Sequence, residues 1–270
     1  MTRISRRLGA TLLAGAFGLA ALAPLATFAQ PAPGAQPPKP TIVLVHGAFA
    51  DSSSWDGVVR DLQKRHYPVI AAANPLRGPA SDATSVAAVV DAVKGPVVLV
   101  GHSYGGSVIT AAANGKTNVK ALVYVAAFAP EAGETALGLT GQFPGSTLGP
   151  TLAPPVPLAD GGKDLYIDQG KFPAQFAADV PLAQARLMAV GQRPIAEAAL
   201  NEAAQAPAWK SVPSWFVYGD RDKNIPPAAM AFMAERAHAK KTVVVKGASH
   251  VVMTSQPEAV TRVIVEAAGG

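Results

Sequence analysis

Apolar, strand-like runs alternate with helical patterns along this chain. They predict an α/β fold with a mostly parallel central sheet and helices on both faces. Three observations carry that expectation. The runs Thr41-Ile-Val-Leu-Val45, Val97-Val-Leu-Val100 and Val119-Lys-Ala-Leu-Val-Tyr-Val-Ala126 are rich in β-branched residues and nearly unbroken, as strands covered on both faces are. Helical patterns lie between them. The alternation stops near residue 128 and resumes near 211, so a long insertion interrupts it. At 270 residues and 49% hydrophobic content, the chain can bury the core of one large domain.

The first residues read as a leader. Arg3, Arg6 and Arg7 precede an apolar run over 8–25, and Thr27-Phe28-Ala29 offers a cleavage site before Gln30. The small Ala and Gly residues and that site favour cleavage over a retained membrane anchor, although the run approaches spanning length. Ser5-Arg6-Arg7-Leu8 resembles a twin-arginine signal, whereas Gly9-Ala10 lacks the usual bulky continuation. Residues 1–29 hold three arginines and no acid, so their removal takes the net charge from +5 to +2. No basic stripe then points to nucleic acid, and no stable membrane association is expected once the signal is gone. The absence of cysteine excludes a disulfide, a thiolate nucleophile and a lipid-attachment thiol. The expectation is a secreted or periplasmic protein.

Residues 30–40 are Pro-rich and read as an extended linker. The strand at 41–45 runs into the turn His46-Gly47-Ala48-Phe49. Ser52, Ser53 and Ser54 offer N-caps to an amphipathic helix over 55–66, with Trp55, Val58, Val59 and Leu62 on one face. Pro68-Val69-Ile70-Ala71-Ala72 is a second strand. The loop Asn74-Pro75-Leu76-Arg77-Gly78-Pro79 follows it, and Ser81 or Asp82 caps a helix to about Val93. The strands near 97 and 119 complete the first part of the core, 41–127. Residues 128–210 are expected to form a mainly helical cap. Their first part is rich in Gly, Pro, Leu and Thr, and 164–205 is helical in pattern but punctuated by Pro173, Pro181 and Pro194. Phe172, Phe176, Leu182, Leu187 and Met188 argue that this segment packs on something. The core resumes over 211–270. Ser214-Trp-Phe-Val-Tyr218 leads into Gly219-Asp220-Arg221-Asp222, followed by a helix over 228–239. Thr242-Val-Val-Val245 is a last strand, and after it come the loop Lys246-Gly247-Ala248-Ser249-His250 and a closing helix over 257–267.

One stretch concentrates the chemistry. After Val97-Val98-Leu99-Val100 comes Gly101-His102-Ser103-Tyr104-Gly105, a G-x-S-x-G pattern between a strand and a helix. Such a turn strains the serine and lifts its hydroxyl clear of the sheet, and glycines at 101 and 105 leave the space it needs. A serine hydroxyl is a poor nucleophile at neutral pH, so it needs a histidine base and a third group to orient that base. Of His46, His66, His102, His238 and His250, only His250 lies in the loop directly after the last strand, on the edge where ligands of such sheets sit. The side chain of His102 is expected to point elsewhere. Asp220 and Asp222 both fit the acid's place between serine and histidine. Asp222 is preferred because its carboxylate has chain enough to turn back toward His250, leaving Asp220 as a turn former or an Arg221 partner. An oxyanion needs two N–H donors. Tyr104 should supply one and Ala48 the other, with Phe49 the neighbouring candidate and a substrate-binding position.

Joined in that order, these features resemble the α/β-hydrolase superfamily over about 41–267. VLVHGAF with the following Trp55, GHSYGG, YGDRDKNIP and GASHVVM are most similar to its small esterase branch, which contains plant methyl-ester esterases and hydroxynitrile lyases. The resemblance implies a Ser103–His250–Asp222 triad, with Asp222 on the branch's G-x-x-D pattern. It also implies oxyanion donors at Ala48 and Tyr104, no metal or organic cofactor, and a small-molecule ester as substrate. The lyases place a bulkier residue at the position of Gly47, which argues against cyanohydrin cleavage. Perhydrolysis on the same triad and a receptor-like binder with weak turnover are the remaining alternatives. A dehalogenase would carry Asp in place of Ser103.

Overall fold

A computed structural model describes residues 38–270, so the leader at 1–29 and most of the linker at 30–40 lie outside the described residues. The chain runs β1 (Thr41–Val45), α1 (Asp56–Lys64), β2 (Val69–Ala72), α2 (Pro79–Ala92), β3 (Val97–His102), α3 (Tyr104–Ala112) and β4 (Val119–Val125). It continues through α4 (Ala136–Gln142), β5 (Val156–Pro157), β6 (Lys163–Leu165), α5 (Phe172–Phe176), α6 (Leu182–Gly191), β7 (Ile195–Ala196) and α7 (Glu197–Asn201). It ends with β8 (Ser214–Gly219), α8 (Pro227–Arg236), β9 (Lys241–Val245), α9 (Val252–Ser255) and α10 (Pro257–Ala267).

Six strands form one sheet in the order β2-β1-β3-β4-β8-β9, and every pairing is parallel. The most apolar runs take the middle of it. All six residues of β3 are buried, and β1 and β4 each leave one residue short of full burial. The edge strand β9 is largely exposed, and Lys240 just before it and Lys241 at its start place charge there, which protects an otherwise open edge. Two helix pairs cover the faces, α1 packing on α10 and α2 on α3. Chain direction across the sheet reverses between β1 and β3. Ligands of such sheets bind at the carboxyl edge at that point, and there the loops holding Ala48 and Ser103 lie side by side.

Local chemistry moves three helix starts from where composition puts them. A 3-10 turn, Ser52–Trp55, precedes α1, and its cap is Asp51, whose carboxylate accepts the Ser53 N–H at 2.8 Å. Helix α2 begins earlier than a Ser81 or Asp82 cap allows, because Pro79 suits the first helical position. Asp82 therefore sits inside the first turn, fully buried. It accepts the Arg77 N–H at 3.1 Å and the Tyr104 hydroxyl at 2.8 Å. Helix α8 likewise begins on Pro227.

Between β4 and β8 the structure is more mixed than a mainly helical expectation. Alongside α4 to α7 it contains a small antiparallel sheet, β5-β6-β7. These strands are two or three residues long and include Pro157, Lys163 and Asp164, too short and too polar for any apolar alternation to register.

Candidate active site

Ser103 occupies the corner between β3 and α3 with φ +53° and ψ −124°, a conformation that non-glycine residues rarely adopt. Its neighbours hold it there. The Ser103 N–H donates to Val125 O at 3.2 Å, and its carbonyl accepts N–H groups from Gly106 at 2.9 Å and Phe128 at 3.2 Å. The close approach of the turn explains the two glycines. A Cβ on Gly105 would lie 2.6 Å from Val45 O, and one on Gly101 would lie 2.6 Å from Gly105 O.

His250 and Asp222 come together at the carboxyl edge. His250 Nδ1 lies 2.6 Å from Asp222 Oδ2, and both side chains are almost wholly buried. The other carboxylate oxygen of Asp222 accepts the N–H groups of Asn224 at 2.8 Å and Ile225 at 3.0 Å. The carboxylate thus faces His250 with one oxygen and its own loop with the other. Asp220 is exposed and turned away; its Oδ1 accepts the Gly247 N–H at 2.6 Å, tying the two loops together rather than pairing Arg221. Ser103 and His250 line one cavity of about 140 Å³, together with Ala48, Phe49, Tyr104 and Phe176.

The remaining histidines are occupied elsewhere. His46 Nε2 accepts the Asn74 N–H at 3.0 Å, which leaves Nδ1–H to donate to Gly47 O at 3.0 Å. Burial holds its pKa below the ordinary histidine range, so it is neutral and structural. His66 and His238 are exposed at helix ends with φ near +60° and +48°. His102, as expected, points elsewhere: it does not line the cavity that holds Ser103. Its Nε2 lies 3.2 Å from His250 O, and its ring centroid is 4.7 Å from that of His250. Burial, and then the proximity of His250, keep its pKa well below the usual range. It is therefore a neutral donor to the backbone of the histidine loop.

The oxyanion candidates separate. The Phe49 N–H donates to Arg193 O at 3.0 Å and is taken. Among the described residues no protein acceptor takes the Ala48 N–H, and Tyr104, as the first residue of α3, has no acceptor within its helix. Phe49 instead presents its ring edge-on to Phe176, with centroids 6.2 Å apart, at the wall of the cavity. The Tyr104 hydroxyl is anchored on Asp82, and burial and that carboxylate push its pKa far above the ordinary phenol value, so it stays a donor.

Fold and motif order together define an α/β-hydrolase. A model of the alpha/beta hydrolase family matches residues 42–263, and the chain belongs to that family. It is 26% identical over 252 residues to the alpha/beta hydrolase nvfD of Aspergillus novofumigatus, spanning 86% of this chain and 97% of the relative. Among solved structures it is similar to polyneuridine aldehyde esterase, with a TM-score of 0.73 and 19% identity over 84% of this chain and 98% of that one. It is also similar to the methylesterase MES16 of Arabidopsis, with a TM-score of 0.69 and 17% identity over 85% and 99%. At those identities the structural likeness is one of fold.

Proposed function

We propose that the protein hydrolyses small, uncharged carboxylic esters through an acyl-enzyme. The observation that carries this reading is the arrangement of Ser103, strained at its corner, on the same cavity as a histidine whose far nitrogen is held 2.6 Å from a buried carboxylate. Ser103 Oγ attacks the ester carbonyl carbon while His250 Nε2 takes its proton. Asp222 keeps the Nδ1–H tautomer and stabilises the imidazolium that forms. The Ala48 and Tyr104 N–H groups receive the negative charge on the carbonyl oxygen. His250 then protonates the leaving alkoxide, and the same base activates water to release the acid.

The cavity lining supports the substrate class. Phe49, Phe128, Phe176, Leu148, Leu152 and Leu200 face it, and among the described residues no Asp, Glu, Lys or Arg does, so none of these offers to neutralise a substrate carboxylate. Its volume is below the range of sites that take drug-sized ligands. Residues 128–210 serve in this reading as a cap, since Phe128, Leu148, Leu152, Phe176 and Leu200 belong to them. The names of these structural neighbours, polyneuridine aldehyde esterase and a methylesterase, accord with ester chemistry. Gly47 weighs against a lyase. A Cβ there would lie 2.6 Å from Ser103 Cβ and 2.8 Å from His102 O, so the turn has no room for the bulkier residue that the lyases carry.

A series of p-nitrophenyl esters of rising acyl length tests the proposal. Short acyl esters should give a burst of nitrophenol equal to the enzyme present, with kcat/KM falling as the chain outgrows the cavity. Turnover without a burst, or product that never reaches one equivalent, would favour lyase-like cleavage or a receptor-like binder.

Export accompanies this reading. No helix among the described residues is long and apolar enough to cross a membrane. N-terminal sequencing of exported protein should begin near Gln30, and a start at Met1 or Thr2 would point to a retained anchor.

A further inference from the structure

Asp222 and His250 both sit on loops, and a loop holds a side chain to catalytic tolerance only where its backbone is anchored. Three anchors of the histidine loop come from the sheet side. Asp220 accepts the Gly247 N–H, the Arg221 N–H donates to Ala248 O at 3.1 Å, and His102 donates to His250 O. The others come from one short stretch outside the sheet, residues 172–180, made of α5 and the turn after it.

Within that stretch, three side chains address three different parts of the site. Gln175 is buried, and its Nε2 donates to Lys223 O at 2.9 Å and to Asn224 Oδ1 at 3.2 Å, while its Oε1 accepts the Thr147 hydroxyl at 2.8 Å. These bonds fix the 223–224 peptide, whose Asn224 N–H in turn orients the Asp222 carboxylate. Phe176 packs its ring 5.0 Å from the His250 ring, edge to face. Asp179 Oδ1 accepts the Ser249 N–H at 3.0 Å and the Ser249 hydroxyl as well, one residue before His250. The second oxygen of Asp179 is buried without a partner among the described residues. An unsatisfied buried carboxylate oxygen is a cost to folding, and an apolar residue here would avoid it. Holding the histidine loop accounts for its presence.

We infer that residues 172–180 form a clamp over the site. Gln175 is a positioning residue for the acid loop, and Asp179 is a positioning residue for the histidine loop. The inference rests on the proposed Ser103–His250–Asp222 triad. Neither residue touches the reacting atoms. Each acts through the peptide that carries a member of the triad, so its loss changes the geometry of the Asp222–His250 bond and leaves the apolar cavity in place.

The test compares Gln175→Leu, Asp179→Ala and Asp179→Asn with wild type and with Ser103→Ala, on one p-nitrophenyl ester. Acylation rate, KM, thermal melt and the downfield proton signal of the His250 Nδ1–H are read for each. Gln175→Leu and Asp179→Ala should acylate about 10- to 100-fold more slowly, by analogy with the loss when the partner that orients a metal-ligating side chain is removed. KM should change little, and the downfield signal should shift or broaden in both. Asp179→Asn keeps an acceptor for the Ser249 N–H and should restore most of the acylation rate. Should Asp179→Ala not fold, Ser249→Ala reads the same contact from its other side, and its acylation should fall too. Wild-type acylation and an unmoved Nδ1–H signal in folded Gln175→Leu and Asp179→Ala (or Ser249→Ala) would overturn the clamp. Retained turnover in Ser103→Ala would instead overturn the triad on which it rests.

Discussion

Ser103→Ala should lower kcat on an activated ester by about 10⁶-fold, the loss seen when the nucleophile of a serine triad is removed. The residual rate over water would come from the Ala48 and Tyr104 amides and from binding. Alanine keeps the Cβ and therefore keeps the backbone strain, since φ at this corner is +53°. The variant should thus fold and melt close to wild type. Ser103→Gly separates the two demands on this position. It lacks the hydroxyl and should be as inactive as the alanine variant, yet glycine adopts positive φ freely. Non-glycine residues held in such regions cost about 1–3 kcal/mol, so Ser103→Gly should melt above Ser103→Ala. A fluorophosphonate should form one adduct, on the peptide holding Ser103, in wild type and none in either variant. Turnover near wild type in a folded Ser103→Ala would remove Ser103 from the mechanism. Equal melting of the two variants would mean that the corner is not strained.

How much of this was legible in the residues depends on the range over which each signal acts. Strands buried on both faces are written as apolar runs, so β1, β3, β4 and β8 can be read directly and in order. The strand–turn–helix setting of Ser103 is equally local, because Gly101 and Gly105 are needed within four residues of each other. The loops carrying Asp222 and His250 follow from their place after strands. The contacts that hold those loops do not. Gln175 reaches Asn224 across 49 positions, and Asp179 reaches Ser249 across 70. Both lie in a stretch whose composition reads as an ordinary helix and turn. The partner of His102 is hidden for a related reason. His102 alternates away from Ser103 along the strand, and only the tertiary fold reveals that the histidine loop lies on that other side. The sequence leaves Phe49 open as an oxyanion donor because the carbonyl that claims its amide belongs to Arg193, 144 positions away. The short strands β5 to β7 carry no periodic signal at all, and their pairing comes from the packing around them.

Asp222→Asn should reduce turnover by about 10⁴-fold while leaving the fold intact. The hydrogen bonds of this carboxylate make the direction of the effect specific. Asp222 Oδ1 already accepts two backbone N–H groups, from Asn224 and Ile225. An asparagine there keeps its oxygen in that place, because an amide NH₂ facing two N–H donors would be repelled. Its NH₂ must then face His250 Nδ1. That nitrogen can only accept from it, so the ring proton moves to Nε2, the atom that should take the proton of Ser103. The histidine would be present and well placed but in the wrong tautomer. Asp220→Asn makes the opposite case. Its side chain is exposed, and an amide oxygen can still accept the Gly247 N–H. Its loss should be small in rate and stay within about 1 kcal/mol in stability, the usual worth of a hydrogen bond at the surface. Both variants should be compared on one ester at one pH, with thermal melts to establish folding, and with KM read separately from kcat. Asp222→Asn should lose kcat with KM little changed. If Asp220→Asn is the inactive one while Asp222→Asn is folded and active, the orienting acid is Asp220, and the 2.6 Å contact between Asp222 and His250 has no part in turnover.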